Sequence, residues 1–379
     1  MARLITTSAD DAAQLQQDLA RALDGGPALG LGMLGDEPAE VAEGIAVVIG
    51  TSGSTGIPKR VVLSTEALRA GAEATAERIG SGAWVLALPA GYVAGLQVLA
   101  RSILSGTTPV VLQGDFSPRA FAEATLPLVR TSSGLFTSLV PAQIASLIEA
   151  ADDPTVLASL QAYTAILVGG QALPEPMRER AADLGARIVR TYGSTETSGG
   201  CVYDGIPLDT VAVKSVDGEL RIAGPMLADG YLGDPDLTDR TFVRDEHGIR
   251  WYRTGDLGIV EDGVVRVNGR ADNVIVSGGI NISLDRVERI VRGIPGLSGA
   301  VVVAVEDEQW GEASVIVAPR GPALRRSEAE QLAQAREAVA TEIGKPARPA
   351  RLILVDELAA LASGKPDREA ARRIAAQLR

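Results

Sequence analysis

The sequence has very few residues of several chemically useful types. Its 379 residues include one cysteine, Cys201, and one histidine, His247. A lone cysteine excludes an internal disulfide and a multi-cysteine zinc site, and a lone histidine excludes multi-histidine metal sites. A Ser-His-Asp or Cys-His mechanism would depend on His247 alone, whose polar neighbours in "RDEHGIRW" favour a solvated loop. We therefore expect chemistry based mainly on lysine, carboxylates, backbone dipoles or a metal held by oxygens.

Lysine is also scarce, because it accounts for only four of the 36 basic residues, at positions 59, 214, 345 and 365. A compact ammonium can approach a single phosphate or carboxylate oxygen where a planar guanidinium cannot. We therefore expect specific functions for Lys59 and Lys365. The alternative for Lys365 is an exposed surface charge.

Charge and hydropathy exclude two further classes of protein. A net charge of -12 argues against general binding to nucleic acid or an anionic membrane, so an anionic ligand needs a local site. The stretch 79–100 is uncharged, but Pro89, Gly91, Gly95 and Gln97 interrupt it. It predicts a buried strand, a turn and a helix instead of a membrane span. The first residues lack the basic and apolar pattern of a signal peptide, so we expect a cytoplasmic protein.

The order of strand-like and helical segments predicts the fold class. Apolar runs such as "GIAVVIG", "GLFTSLV" and "AYTAILVGG" alternate with helical stretches, which indicates an α/β domain with mainly parallel strands. After Gly205, short alternating strands joined by Asp-Gly turns predict a small β-rich subdomain. Beyond "GRADNVIVSGGINIS" the pattern is that of a small α+β domain. We therefore expect a large N-terminal domain over 1–271 and a small C-terminal domain over 272–379.

The segment "TSGSTGIPKRV" (51–61) combines glycines, hydroxyls and a lysine directly after an apolar strand. Glycines allow close approach of the backbone, amides and hydroxyls donate to phosphate oxygens, and the lysine supplies charge. The spacing differs from the common G-x-x-x-x-G-K-[ST] loop. The segment predicts a phosphate-binding loop, and the alternative is a flexible hairpin loop.

Five segments resemble the adenylate-forming acyl-CoA synthetase superfamily, and they occur in the order that superfamily has. They are "TSGSTGIPKRV" (51–61), "TYGSTETSGG" (191–200), "YRTGDLG" (252–258), "GRADNVIVSGGINIS" (269–283) and "SGKPDR" (363–368). The resemblance implies a large N-terminal domain that binds ATP and the acid, and a small mobile C-terminal domain. Displacement at phosphorus needs positioned cations and little acid-base chemistry, so a chain poor in histidine can perform it.

The resemblance also implies the residues of the nucleotide site. The β- and γ-phosphates of ATP would be held by Thr51, Ser52, Gly53, Ser54, Thr55, Gly56 and Lys59. The α-phosphate would lie at Thr195 and Glu196, in the same segment as Tyr192 and Gly193, with Glu196 binding Mg²⁺. Asp256 would accept hydrogen bonds from the ribose hydroxyls, and Arg270 would lie near the ribose and phosphate. The adenine and acyl pocket would be lined by Gly169, Gly170 and Gln171.

The C-terminal motifs imply a second catalytic state. Lys365 would bridge the attacking carboxylate and the phosphate in the transition state of adenylation. Asp272 would be the hinge about which the small domain rotates after that step. The rotation would withdraw Lys365 and bring in the face around Ser277, Gly278 and Gly279 for thioester formation with CoA.

One branch of the superfamily fits best, the o-succinylbenzoate–CoA ligases of menaquinone synthesis. "LPAGYVAGLQVLARS" (88–102), "FTSLVPAQ" (136–143) and the early position of the phosphate loop resemble that branch. Its members generally have a histidine where this chain has Gly91 and Tyr92, so either Tyr92 would supply a substitute ring or the pocket would have a different shape. The second carboxylate of the substrate needs donors, because a buried unpaired charge is costly. The candidates are Ser132, Ser133, Thr137, Ser138 and Gln171.

Three other classes of function are alternatives to this one. "GLGMLG" (30–35) matches G-x-G-x-x-G, but the following "DEPAEVAEG" does not open a helix as a dinucleotide-binding oxidoreductase requires. A non-catalytic adenylate-binding module is disfavoured by the presence of Lys365 and Glu196. An adenylating enzyme that loads a carrier protein, or ligates a different acid to CoA, stays open. The expected partners are a carboxylic acid, ATP, Mg²⁺ and CoA, with a homodimer as the default, no nucleic acid and no membrane insertion.

Overall fold

The structure, a computed structural model, describes residues 1–32, 35–51, 59–277, 279–307, 310–320, 327–361 and 366–377. The strands are β1 (Ala2–Thr6), β2 (Ala28–Leu31), β3 (Glu40–Val41), β4 (Ile45–Thr51), β5 (Lys59–Ser64), β6 (Ala83–Leu86), β7 (Val110–Val111), β8 (Leu135–Leu139), β9 (Ala165–Val168), β10 (Ile188–Ser194), β11 (Gly199–Tyr203), β12 (Ile206–Pro207), β13 (Ala212–Val216), β14 (Glu219–Ala223), β15 (Gly230–Tyr231), β16 (Phe242–Arg244), β17 (Arg250–Glu261), β18 (Val264–Arg270), β19 (Val274–Ser277), β20 (Ile280–Ser283), β21 (Val301–Asp307), β22 (Gly311–Pro319) and β23 (Arg351–Val355). The α-helices are α1 (Ala12–Leu23), α2 (Thr65–Ile79), α3 (Val93–Leu104), α4 (Pro118–Thr125), α5 (Pro141–Glu149), α6 (Pro154–Ala162), α7 (Glu175–Asp183), α8 (Pro235–Thr241), α9 (Leu284–Arg292), α10 (Glu328–Glu342) and α11 (Arg368–Gln377).

The first sheet is mixed and has the strand order β15-β5-β4-β2-β1-β3. Strands β1, β2 and β4 are parallel, whereas β5 returns antiparallel to β4 and pairs in turn with β15. The apolar run "IAVVI" of β4 is completely buried, as a strand covered on both faces requires. The loop between β4 and β5 is the predicted phosphate loop, so this end of the β4–β5 hairpin lies at the expected nucleotide site.

The second sheet has the order β12-β11-β10-β9-β8-β6-β7, and its strands from β10 to β7 are parallel. Helices α2 and α3 share one apolar core with both sheets, in which Ile49, Leu68, Trp84 and Leu99 are fully buried. The carboxyl ends of parallel strands meet at one edge, which is where α/β proteins place their ligands. Residues that follow β8, β9 and β10 are therefore positioned for binding.

The β-rich subdomain is an antiparallel sheet with the order β13-β14-β17-β16 and β18 paired to β17. Two of its hairpins close through Asp217-Gly218 and Asp262-Gly263, and all four residues have positive φ. That backbone is typical of type I′ turns, which asparagine or aspartate followed by glycine favours. The Asp-Gly turns expected from the sequence are confirmed.

A fourth sheet lies after residue 273, with the order β20-β19-β22-β21 and β23 parallel to β22. Its two faces are covered by α9 and α10 on one side and α11 on the other, each with a separate apolar core. The fold class is thus confirmed: a large α/β part, a β-rich subdomain and a small α+β part. The expected boundary at 271/272 falls between β18 and β19 and stays a prediction.

The uncharged stretch 79–100 forms the end of α2, strand β6 and the start of α3, as predicted. Helix α2 begins directly after Ser64, whose hydroxyl accepts a hydrogen bond from the amide of Ala67. No helix in the described part of the chain is both long and apolar enough to cross a bilayer. Between Gly35 and Gly44 the chain forms β3 and no helix, which removes the context that "GLGMLG" would need for a dinucleotide site.

Candidate active site

The hairpin of β4 and β5 brings the two ends of the phosphate loop together. Thr51 pairs with Lys59 in the ladder, and the Thr51 hydroxyl donates to the Lys59 carbonyl at 3.3 Å. The predicted site residues Ser52, Gly53, Ser54, Thr55 and Gly56 lie outside the described residues. The Lys59 ammonium lies 5.7 Å from the centre of the Tyr231 ring, so the lysine is beside strand β15.

Glu196 lies in a short 3-10 turn, Thr195–Thr197, that directly follows β10. The turn is fixed by Thr197, whose hydroxyl accepts from the Ser194 amide at 2.8 Å and donates to the Gly199 carbonyl at 2.7 Å. Gly193 is required here, because a Cβ at this position would collide with the Gly199 carbonyl at the bulge between β10 and β11. The Glu196 carboxylate accepts a hydrogen bond from the Tyr231 hydroxyl at 2.9 Å.

Asp256 is held from two sides. Its carboxylate accepts from the Tyr192 hydroxyl at 2.6 Å and from the Arg270 guanidinium at 3.3 Å. Burial raises the pKa of Asp256, although Tyr192 and Arg270 both act in the opposite direction. Burial also raises the pKa of Tyr192, and the adjacent Asp256 raises it further, so Tyr192 stays protonated and donates. The carboxylate is thereby oriented as an acceptor.

Arg270 joins the predicted ribose residue to the predicted hinge. One guanidinium nitrogen donates to Asp256 and to the Thr254 carbonyl, the latter at 3.1 Å. The other two nitrogens donate to both oxygens of Asp272 at 3.1 Å. The hydrogen bond to Asp272 is the main reason that the pKa of Arg270 is raised. The structure therefore brings Asp256, Arg270 and Asp272 together in one ion-pair chain.

Tyr252 connects this chain with Glu196. Its pKa is raised by burial first and then by the charge of Glu196, and Asp256 contributes in the same direction. The Ser194 hydroxyl donates to the Tyr252 hydroxyl at 3.5 Å. The two acidic groups, one after β10 and one in β17, therefore share a single region around this buried ring.

Gly169, Gly170 and Gln171 follow β9 at the carboxyl edge of the second sheet. A Cβ at Gly169 would lie 2.5 Å from the Thr191 hydroxyl, and Gly170 has a φ of 82°, so both positions favour glycine. Gln171 accepts a hydrogen bond at 2.8 Å from Arg292, at the end of α9. This residue of the proposed pocket thus contacts the C-terminal part of the chain.

Some of the predicted acyl-pocket residues precede strand β8, and others lie within it. Ser138 is buried at its carboxyl end, near the edge used by Gly169. Ser132 and Ser133 precede the strand at its opposite end. Thr137 donates to the Val85 carbonyl at 2.9 Å inside the sheet. The structure therefore does not bring Ser132 and Ser133 together with Ser138, and the hydroxyl of Thr137 is engaged within the sheet.

Tyr92 and the C-terminal site residues lie on other elements. Tyr92 directly precedes α3 and is half-buried. Ser277 pairs with Ile280 in the hairpin of β19 and β20, whose turn includes Gly279 with a φ of 80°. Gly278 and Lys365 lie outside the described residues.

Sequence reasoning missed Tyr231 and Arg292. Tyr231 approaches Glu196 because β15 pairs with β5 across a long sequence separation, and no local pattern announces that pairing. Arg292 follows an amphipathic pattern that predicts a helix but not a contact with Gln171. Thr254 lies inside the recognised segment "YRTGDLG", and its hydroxyl accepts from the Asp256 amide at 2.9 Å.

The structure places one of the two scarce residues in solvent and the other in the core. The His247 side chain is 73% exposed, and its ring lies 3.6 Å from Glu246, as a solvated turn residue would. Cys201 is fully buried, and burial raises the pKa of its thiol to about 12. Neither side chain is suited to act as a nucleophile or a base here.

A cation bound beside Glu196 would need several ligand atoms besides this carboxylate. Within the described residues, no group of three histidine, cysteine, aspartate or glutamate side chains converges on one point. A cation beside Glu196 would therefore need oxygens from a substrate. This fits Mg²⁺, which binds through one or two carboxylates together with substrate phosphates and water.

Two family descriptions match the chain. "AMP-binding enzyme" matches residues 3–232, and "AMP-binding enzyme C-terminal domain" matches residues 286–365. The chain belongs to the AMP-binding enzyme family, whose two domain descriptions follow each other here in one polypeptide. The resemblance derived from the five motifs is confirmed.

Individual relatives and solved structures have more specific names than the two family descriptions. The chain is 38% identical over 347 residues to a probable 2-succinylbenzoate–CoA ligase of Mycobacterium tuberculosis, covering 89% of this chain and 87% of that one. It is 30% identical to the 2-succinylbenzoate–CoA ligase of Bacillus cytotoxicus, covering 74% of this chain and 60% of that one. The solved o-succinylbenzoate CoA synthetase of Bacillus subtilis in complex with OSB-AMP has a TM-score of 0.72 at 26% identity, covering 89% and 72%. ATP-bound MatB from Rhodopseudomonas palustris shares the fold, with a TM-score of 0.74 at 21% identity and coverage of 89% and 69%.

Proposed function

We propose that this enzyme is an AMP-forming acid–CoA ligase that converts o-succinylbenzoate, ATP and CoA into o-succinylbenzoyl-CoA, AMP and pyrophosphate, as a step of menaquinone synthesis. One observation carries the reaction class. Lys59, Glu196, Asp256 and Arg270 come from four separate sequence segments and converge around Tyr231 and Tyr252. The names of the relatives support the choice of acid.

In the first half-reaction the protein supplies charge and orientation. Lys59 and Arg270 supply positive charge for the phosphate oxygens, and Asp256 is oriented to accept from the ribose hydroxyls. Preorganised charges of this kind stabilise displacement at phosphorus without a proton-transfer residue. Mg²⁺, held by Glu196 and the phosphates, would neutralise negative charge on the phosphate groups. Lys365 completes the proposal as the cation between the attacking carboxylate and the α-phosphate.

In the second half-reaction the C-terminal domain changes its orientation about Asp272. The β19–β20 hairpin with Ser277, Gly278 and Gly279 then replaces Lys365 at the adenylate, and the CoA thiol displaces AMP. Arg270 supports this role for Asp272, because it ties the hinge carboxylate to Asp256 on the nucleotide side. A domain movement of this kind can limit turnover.

The acid is proposed to lie at the carboxyl edge of the second sheet. Ser138 and Gln171 offer polar groups there, and Tyr92 contributes a ring at the start of α3. These groups can pair the second carboxylate of o-succinylbenzoate, which would otherwise be buried at a large energetic cost. Ser132 and Ser133 are no longer part of this proposal, because they lie at the other end of β8.

The proposal also covers setting and assembly. A single cysteine, buried and unpaired, fits the reducing cytoplasm. A homodimer is the default expectation for an enzyme of this kind. Light scattering of the purified protein would establish the assembly directly.

The function is tested with purified wild type, K365A and K345A. Lys345 is exposed in the same domain, so K345A removes an equivalent charge away from the motif. With o-succinylbenzoate, ATP, Mg²⁺ and CoA, mass spectrometry should detect o-succinylbenzoyl-CoA for wild type and K345A. K365A should lose about two to three orders of magnitude in adenylation, as expected for one lost charge-stabilising group.

The two half-reactions separate the assigned role from general damage. K365A supplied with preformed o-succinylbenzoyl-AMP should still transfer the acyl group to CoA at a rate near that of wild type. Equal loss in both half-reactions would refute the role of Lys365. Absence of thioester from the wild-type enzyme would overturn the proposed function itself.

A further inference from the structure

Tyr231 occupies a position between the two phosphate-facing segments of the proposed site. It lies in β15, where it pairs with Val61 of β5, two residues beyond Lys59. Its backbone amide donates to the Thr238 hydroxyl at 2.9 Å, and its ring packs against Phe242 with centroids 6.0 Å apart. The residue is only 7% exposed, so both its backbone and its ring are fixed.

The two ends of this side chain contact different parts of the site. The hydroxyl donates to Oε1 of Glu196 at 2.9 Å, while the ring faces the Lys59 ammonium at 5.7 Å. The turn that carries Glu196 is tied to the same region, because the Glu196 carbonyl accepts from the Ala228 amide at 2.8 Å.

We infer that Tyr231 is a positioning residue for the cation site: it fixes the rotation of the Glu196 carboxylate so that the second oxygen can bind the Mg²⁺ of bound ATP. This inference rests on the proposed function. Mg²⁺ demands near-octahedral ligands at about 2.0–2.1 Å, so a carboxylate free to rotate is a poorer ligand. Groups that hydrogen bond to a metal ligand typically change metal affinity about 10- to 100-fold when they are removed.

The test compares Y231F with Y203F. Both substitutions remove one hydroxyl from a buried tyrosine and keep the ring. The Tyr203 hydroxyl lies inside the core, 2.9 Å from the Thr75 hydroxyl, and accepts from Arg101 at 3.5 Å. Thermal unfolding of both variants reports the structural cost of losing a buried hydrogen bond.

The readout is the binding of α,β-methylene-ATP by calorimetry, once with Mg²⁺ and once with EDTA. Y231F should bind the analogue about 10- to 100-fold more weakly than wild type with Mg²⁺, and equally well with EDTA. Y203F should bind like wild type in both conditions. A purely structural role for Tyr231 would weaken binding equally with and without Mg²⁺, which would overturn the inference.

A double variant shows whether Tyr231 acts through Glu196. If it does, Y231F/E196Q should bind the Mg²⁺ complex no more weakly than E196Q alone, because the carboxylate to be oriented is already gone. Additive losses would contradict the inference. If wild type itself gains nothing from Mg²⁺, the proposed function fails; if wild type gains and Y231F gains equally, only the role of Tyr231 fails.

Discussion

At the scale of single residues, the charged groups of the site are oriented either by a neutral tyrosine hydroxyl or by a side chain of opposite charge. Tyr231 contacts Glu196, Tyr192 contacts Asp256, and Arg270 contacts both Asp256 and Asp272. Tyrosine hydroxyls suit this task, because burial keeps them protonated and their rings have few rotamers. These contacts fix the direction of each charged group through the protein's own side chains, which is the arrangement that electrostatic catalysis requires.

The raised pKa of Asp256 predicts a pH dependence of stability. A carboxyl whose pKa is higher in the folded than in the unfolded state keeps its proton longer when folded, so its contribution to stability decreases as pH rises through that window. The free energy of unfolding of wild type minus that of D256N should therefore fall from about pH 4 upward. Urea unfolding of both proteins at a series of pH values measures this difference.

D262N is the control for D256N, because Asp262 is an exposed turn residue with a left-handed backbone that asparagine also adopts. A difference between wild type and D256N that grows with increasing pH would contradict the assignment. It would mean that Tyr192 and Arg270 outweigh burial and lower the pKa of the carboxyl instead.

At the scale of secondary-structure elements, local sequence predicted most of the strands and turns. The fully apolar runs of β4 and β9 and the Asp-Gly turns are determined by neighbouring residues, so the sequence contains their signals. The mixed character of the first sheet and the order of its strands depend on long-range pairing. Ser132 and Ser138 are close in sequence, but they lie towards opposite ends of β8 because the strand between them is extended.

The residues of the proposed site divide in the same way, into those that have a local sequence signal and those that do not. Glu196, Asp256 and Arg270 were identified because each stands in a recognisable segment. Tyr231 and Arg292 were missed, because the contacts with Glu196 and Gln171 arise from pairing of β15 with β5 and from packing of α9. The signals for catalytic groups are thus local, whereas those for the groups that orient them are not.

The connection between β18 and β19 provides a prediction for D272P. Proline fixes φ near -65° and should prevent the rotation, so adenylation persists while acyl transfer to CoA falls by about tenfold or more, which corresponds to ~1.4 kcal/mol of barrier. D272A is the matched control, since it also loses the ion pair with Arg270 but leaves the backbone free. The two half-reactions can be followed separately by pyrophosphate release and by thioester formation. Transfer in D272P at the rate of D272A would contradict the hinge assignment.

At the scale of the whole molecule, the two parts of the chain are joined by polar contacts near the proposed site. Arg292 donates to Gln171, and Asp285 accepts from the Arg270 amide at 2.7 Å. Hydrogen bonds can be exchanged at a lower cost than a large apolar interface can be separated. The proposed change of domain orientation between the two half-reactions would exchange these hydrogen bonds.

The most direct test of the central claim is pyrophosphate release by the wild-type enzyme over a panel of acids. ATP and Mg²⁺ would be supplied with o-succinylbenzoate, benzoate, coumarate or a fatty acid, each with and without CoA. The account predicts that o-succinylbenzoate is well ahead of the others and that multiple turnovers need CoA. Faster release with another acid would contradict the substrate assignment, and no release with any acid would contradict the adenylate-forming reaction itself.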